Sequence, residues 1–368
     1  MNDYKPLVSQ QNVYRFKKQY PLKSFIKPLM GLALLLMLIT AASCSKQEQA
    51  TQHNKPDYYN IDTTKVQTGG IKMIPVTTGN KTYNVWTKRI GNNPKIKVLL
   101  LAGGPGIPHD YFEAFESFLP AEGIEFYYYD ELGSGNSDKP NDTTRYNIAS
   151  AVDEVEQVRK ALQLNKGNFY LFGHSWGGLL AMEYAVKYQG NLKGLIVSNM
   201  TSSGKEFNRY VQQVLAKQIP PDAMARINEL SAKNDYANPE YMELAMKHFY
   251  AQFVCRIPLE QWPEPLNRAL SKLNQPYYNK LQGPSEFGLL GSLKDWDISS
   301  RLKEIYVPTL IIAAKYDEMD PQHLKWMSTE VKNGHYLYCA NGSHLSMYDE
   351  QAFYMNGIIK FIKQVNNK

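Results

Sequence analysis

The sequence predicts an α/β fold: a mostly parallel sheet flanked by helices, with an inserted all-helical region. Three observations carry this reading. Continuous apolar runs at 97–102, 124–129, 169–172 and 192–198 have the character of strands buried on both faces, and helical patterns alternate with them. Residues 168–185 pass from a strand through a sharp, glycine-flanked turn into a helix. Residues 201–296 then lack strand signals, before apolar runs return at 306–314 and 334–340.

The N-terminus stands apart from that pattern. Lys17, Lys18, Lys23 and Lys27 form a positive segment, and residues 29–39 are apolar but too few to span a bilayer comfortably. Thr40, Ala41, Ala42 and Ser43 then lead to Cys44. Residues 1–43 read as a secretory signal peptide. A cysteine directly after small residues resembles a bacterial lipobox, although Ala41 stands where leucine is commoner. That resemblance implies cleavage before Cys44, lipidation of its thiol, and a membrane lipoprotein facing the periplasm or cell surface. Ordinary signal cleavage beside an incidental cysteine is the alternative. Several acyl chains would anchor the chain stably, since each buried methylene adds about 0.8 kcal/mol. Residues 44–57 are polar and read as a flexible tether.

The leader also explains the charge. It holds six of the 41 Lys and Arg residues and one of the 35 acids, so the remainder carries 35 basic and 34 acidic residues. A near-neutral body gives no reason to expect nucleic acid as a partner. Cys255 and Cys339 remain besides Cys44. Export permits a disulfide between them, but a chain this long needs no staple, and two buried thiols are favoured.

Residues 72–78 and 82–89 alternate apolar and polar around Gly79-Asn80, which predicts an antiparallel hairpin. The strand at 97–102 ends in Gly103-Gly104-Pro105-Gly106; without a following Gly-Lys-Ser/Thr, this loop suits an oxyanion donor from the Gly104 N–H better than a phosphate cradle. The strand at 124–129 runs into Asp130, read as a loop residue holding backbone N–H groups. Residues 147–162 form an amphipathic helix, with Val152, Val155, Val158 and Leu162 on one face and Glu154 and Glu156 elsewhere. Helices are expected at 206–217, 222–233, 239–254 and 263–273. They make the 201–296 insertion an aromatic-rich cap between core segments 58–200 and 297–368. Most of Tyr241, Phe249, Tyr250, Phe253, Trp262, Tyr277 and Tyr278 should pack the cap, with a minority lining a pocket. Further helices are expected at 321–331 and 349–365.

The chemistry centres on Gly173-His174-Ser175-Trp176-Gly177. This Gly-x-Ser-x-Gly turn, between strand and helix, has the context of a nucleophile elbow. Gly173 and Gly177 let strand and helix approach closely, and the Trp176 N–H falls at a helix N-terminus, aimed at a developing oxyanion. Asp317 and His344 follow at two later strand ends, and the order Ser, Asp, His is that of the α/β-hydrolase fold. His344 would take the Ser175 proton, and Asp317 would fix its tautomer. Asp320 is the rival acid, three residues further along. A serine nucleophile points to acyl transfer rather than alkyl transfer.

A more specific resemblance joins Gly103-Gly-Pro-Gly106, Asp130-x-x-Gly133-x-Gly135-x-Ser137, Gly173-x-Ser175-Trp-Gly-Gly178, Gly283-Pro-Ser-Glu-Phe287, Lys294-Asp-Trp-Asp297 and Tyr316-Asp-Glu318. Together these resemble the prolyl iminopeptidase family, in its tricorn-interacting aminopeptidase branch, from about Tyr58 to the C-terminus. The resemblance implies a serine aminopeptidase without metal or other cofactor, acting on short peptides with a free N-terminus. It also implies that Glu286 and Glu318 hold the substrate ammonium. Fixed carboxylates at close range suit that task. One position departs: the family usually has His before Gly-Gly-Pro-Gly, and this chain has Ala102. Either another group orders the loop, or oxyanion stabilisation is weaker. An esterase or lactonase on the same fold would need the triad without the two glutamates, and a non-enzymatic binding protein, its pocket keeping the shape without the rate, has Ala102 as its only support.

Overall fold

The computed structural model describes residues 68–285 and 287–367. The leader, the tether with Cys44, and Glu286 lie outside the described residues.

Eight strands form one sheet, in the order β1-β2-β4-β3-β5-β6-β7-β8. β1 (Ile71–Thr78) and β2 (Lys81–Ile90) make the expected hairpin, and β2 pairs antiparallel with β4 (Glu125–Asp130). β3 (Lys97–Leu101), β5 (Phe169–His174), β6 (Gly194–Ser198), β7 (Thr309–Ala314) and β8 (Gly334–Cys339) are joined by parallel pairings, as are β3 and β4. β5, β6 and β7 are buried at every residue, which is why they read as unbroken apolar runs.

α1 (Ile148–Ala161) starts at Asn147, whose side chain accepts the Ser150 N–H at 2.9 Å. It packs on α2 (Trp176–Tyr188). Val152, Val155 and Val158 are buried as their spacing predicts, but Glu154 and Glu156 are buried as well. Each acid has partners of its own. Glu154 accepts the Leu132 N–H at 2.8 Å and the Tyr129 hydroxyl, while Glu156 takes Arg159 and, at 2.8 Å, the Tyr184 hydroxyl.

Between β6 and β7 the described chain is helical: α3 (Gly204–Tyr210), α4 (Pro221–Ala232), α5 (Pro239–Ala245), α6 (Glu264–Ser271) and α7 (Gln275–Leu281). π-helical stretches at Val211–Leu215 and Met246–Val254 extend α3 and α5 where the periodicity predicts uninterrupted helices. α7 goes beyond the expected set, although Asn274 as its cap and Pro276 near its start are sequence-visible signals. Asp110, on a 3₁₀ helix at His109–Ser117, ties this region to the sheet through Arg268 Nε at 2.9 Å and Lys272 Nζ at 2.7 Å. α8 (Pro321–Glu330) follows β7, a short α9 (Ser346–Asp349) follows β8, and the expected last helix is α10 (Gln351–Asn366). Cys255 and Cys339 are separate buried thiols, each pushed up to about 12 by burial.

Burial also pushes the Glu154 carboxyl up to about 8, against the hydrogen bonds from Tyr129 and Leu132. Between its ordinary value of 4.5 and 8, the folded chain holds this proton and the unfolded chain does not. Stability is therefore full below about pH 4.5 and declines as pH rises toward 8, by at most about 1.4 kcal/mol per pH unit for this one group. Both hydrogen bonds converge on one Glu154 oxygen, which an amide oxygen can replace. Thermal melts at pH 5 and pH 8 should therefore differ less for Glu154→Gln than for the parent chain.

Candidate active site

Ser175 sits at the turn between β5 and α2 with φ 54° and ψ −125°. The flanking glycines are there for the expected reason. A Cβ on Gly177 would lie 2.1 Å from the Leu101 carbonyl oxygen, and one on Gly173 would lie 2.0 Å from that of Gly177. Trp176 is the first residue of α2, so its N–H has no acceptor within the helix. The loop after β3 runs beside it, since a Cβ on Gly103 would come within 3.2 Å of the Ser175 Cβ. Gly104 has φ +113°.

Three groups hold this loop despite Ala102. The Tyr111 hydroxyl accepts the Gly103 N–H at 2.7 Å, Glu131 accepts the Gly106 N–H at 3.0 Å, and the Asn274 N–H donates to the Gly106 carbonyl at 3.1 Å. Glu131 also accepts the Trp176 indole N–H at 3.1 Å and the Tyr277 hydroxyl at 3.2 Å. Burial pushes its carboxyl up to about 7 against these donors. Sequence reasoning passed over Glu131 and Tyr111, because neither belongs to a motif with a known chemical task.

The structure brings His344 and Asp317 together, with Nδ1 of the histidine 2.8 Å from Oδ1 of the acid. The other Asp317 oxygen accepts the Asn199 amide at 2.7 Å, and the Met319 N–H donates to Oδ1 at 3.2 Å. Asp320 is occupied elsewhere: it caps α8 at Gln322 and pairs with Arg209 at 2.7 Å. Asp130 keeps the loop role expected of it, accepting the backbone N–H groups of His109 and Asn136, and it also pairs with His109 Nδ1 at 2.8 Å.

Glu318 lies on the far side of the imidazole, with Oε1 3.2 Å from His344 Nε2. Its Oε2 is buried with no hydrogen-bond partner among the described residues. Burial raises its carboxyl above the usual range; the neighbouring His344 opposes the rise and Asp317 adds to it. Gly104, Ser175, Trp176, Glu318 and His344 line one chamber that is partly open to solvent. The Thr201 hydroxyl is another buried polar atom on that wall without a partner among the described residues. The rest is mainly apolar, with Tyr250 and Tyr278 the two of the seven cap aromatics that reach it. Among the described residues, no cluster of His, Cys, Asp and Glu is placed to hold a metal ion.

Fold and site together define an α/β hydrolase, and the model of the alpha/beta hydrolase fold family matches residues 97–351. The proline iminopeptidase of Chitinophaga pinensis is 74% identical over 80% of this chain and 99% of its own length. That of Flavobacterium johnsoniae is 55% identical over the same shares. Among solved structures, VinJ superposes with a TM-score of 0.74 at 29% identity, covering 80% of this chain and 99% of VinJ. The chain belongs to the proline iminopeptidase family of α/β hydrolases.

The Asp317 contacts predict the outcome of removing its charge. In Asp317→Asn, the amide nitrogen must face either the Asn199 amide or His344. The second arrangement forces Nδ1 to accept and puts the imidazole proton on Nε2, where it cannot act as a base. We expect kcat to fall by about ten-thousand-fold with KM changed little. Steady-state kinetics beside circular dichroism of the folded variant measure this.

Proposed function

We propose that this chain is a serine aminopeptidase that releases the N-terminal residue, proline among others, from short peptides through an acyl-enzyme. One observation carries the reading: a buried Glu318 carboxylate with one oxygen on the base and the other, beside the nucleophile, without a partner among the described residues. A buried polar atom without a partner invites explanation, and a substrate ammonium supplies one here. The relatives named proline iminopeptidase support it. Glu286 is proposed as the second ammonium ligand on the strength of its motif.

In this mechanism the Ser175 hydroxyl attacks the carbonyl of the N-terminal residue while His344 Nε2 takes its proton. The Gly104 and Trp176 N–H groups bind the oxyanion. His344 then protonates the leaving amine, and water releases the acyl residue by the same route. Before substrate arrives, Nε2 faces Glu318. An ammonium gives Glu318 a better partner and frees Nε2 for Ser175. An esterase or lactonase acting on neutral substrates has no use for a carboxylate left unpaired in that position.

Aminoacyl-naphthylamides of Pro, Ala, Leu and Phe, each with free and acetylated amine, test the reading. We expect cleavage of free amines only, lost in Ser175→Ala and weakened at least tenfold in kcat/KM for Glu318→Gln and Glu286→Gln. Equal cleavage of acetylated substrates would leave the esterase reading standing.

We further propose that the chain is exported and lipidated at Cys44, which rests on the N-terminal pattern. No described helix is long and apolar enough to cross a membrane. Palmitate labelling in a bacterial host should mark the parent chain and miss Cys44→Ser. An unlabelled, soluble parent chain would reduce the leader to an ordinary signal peptide.

A further inference from the structure

We propose that Tyr111 and His174 are positioning residues: a buried hydrogen-bonded relay that sets the oxyanion loop against the backbone of the catalytic base. The relay has three links. The Gly103 N–H donates to the Tyr111 hydroxyl at 2.7 Å. That hydroxyl lies 3.1 Å from His174 Nδ1. His174 Nε2 lies 2.9 Å from the carbonyl oxygen of His344. One end of the relay is thus the loop that carries Gly104, and the other is the backbone of the residue that deprotonates Ser175.

The two ends fix every proton between them. A backbone N–H can only donate and a carbonyl can only accept. His174 must therefore carry its hydrogen on Nε2, leaving Nδ1 as an acceptor. Tyr111 must accept from Gly103 and donate to Nδ1, which uses its one hydrogen. A charged His174 would place an N–H against the hydroxyl and leave the tyrosine hydrogen without an acceptor. Burial, and then the neighbouring His344, hold His174 well below the usual imidazole range, so it stays neutral; burial holds Tyr111 well above 10, so it stays protonated.

The relay is also stiff. Tyr111 is 3% exposed and His174 2%. The Tyr348 hydroxyl donates to the Tyr111 carbonyl at 2.7 Å, and the adjacent Asp110 is bound by Lys272. A Cβ on Gly103 would come within 3.4 Å of both His174 Nδ1 and the Tyr111 hydroxyl, so the loop packs closely over the junction. Support for the loop that the family usually pairs with a preceding histidine therefore comes, beside Ala102, from a tyrosine eight residues downstream.

The inference rests on Ser175 as nucleophile and not on which peptide is cut. Its test uses the second-order rate constant for labelling Ser175 with a fluorophosphonate, together with kcat and KM on prolyl-naphthylamide. Tyr111→Phe removes one oxygen and keeps the ring. We expect the labelling rate constant and kcat to fall about 10- to 100-fold, less than outright loss of an oxyanion donor, with KM within twofold. His174→Phe should do the same, and the double variant should be no slower than the slower single, because one chain is cut in both. A purely structural role would lower the fraction of active sites while leaving the rate constant of the survivors unchanged. That result, a loss confined to KM, or losses that multiply in the double variant would overturn the relay. Should His174→Phe not fold, Tyr111→Phe decides alone. A parent chain that is not labelled at all would overturn the serine assignment and the relay with it.

Discussion

Ser175 is held at a positive φ, where a residue with a side chain costs about 1–3 kcal/mol, and the middle of the sheet is arranged to keep it there. Its N–H bonds the Ser198 carbonyl on β6 at 3.0 Å, and its carbonyl takes the Gly178 N–H at 2.7 Å. The turn closes only because β3, β5 and α2 approach to distances at which a Cβ on Gly173 or Gly177 has no room. The same pairing sets Leu101 opposite Gly173 and His174 opposite Ser198. The Gly103–Gly106 loop, Ser175 and Asn199, which holds Asp317, therefore leave three neighbouring strands at one level. One register places all three.

The buried acids around this level fall into two kinds, and the partner decides which. Burial works against an ionised Asp130, yet the His109 side chain and two backbone N–H groups hold it below its usual range. Glu131 and Glu154 have only neutral donors, and burial pushes them up to about 7 and 8. Glu318 stands between these cases. It touches an imidazole, but burial and the neighbouring Asp317 outweigh that contact. Among the described residues, no Lys or Arg pairs with this carboxylate.

Much of the scaffold was legible in the chain. Buried parallel strands leave unbroken apolar runs, and an elbow needs small residues at fixed offsets, so both write themselves into local sequence. Asp317 and His344 were legible because each follows a strand. The inward turn of Glu154 was not, because helical periodicity sorts residues by polarity and cannot see that Tyr129 and Leu132 wait on the other side. The 3₁₀ helix at His109–Ser117 was missed for a similar reason. His109, Asp110 and Tyr111 are consecutive and polar, and each is buried by a separate distant partner: Asp130, Lys272 and Gly103. Side chains that meet across the fold leave no spacing to read.

Glu318 gives the specificity of the site a particular character. It does not lie apart from the proposed chemistry as a remote clamp would; it rests on Nε2, the atom that would accept the Ser175 proton in the proposed mechanism. A substrate without a cation leaves that contact in place, and the base remains occupied even when the carbonyl is well seated. In the proposed mechanism, a substrate with an ammonium removes the contact by binding. Recognition and activation are then one event, so discrimination acts on turnover as well as on affinity. A site built around a polar partner rejects analogues that lack it by roughly ten-thousand-fold, since its own buried group is left unpaired. Here the penalty would be doubled in kind: Glu318 Oε2 stays without a cation, and Oε1 stays on the imidazole.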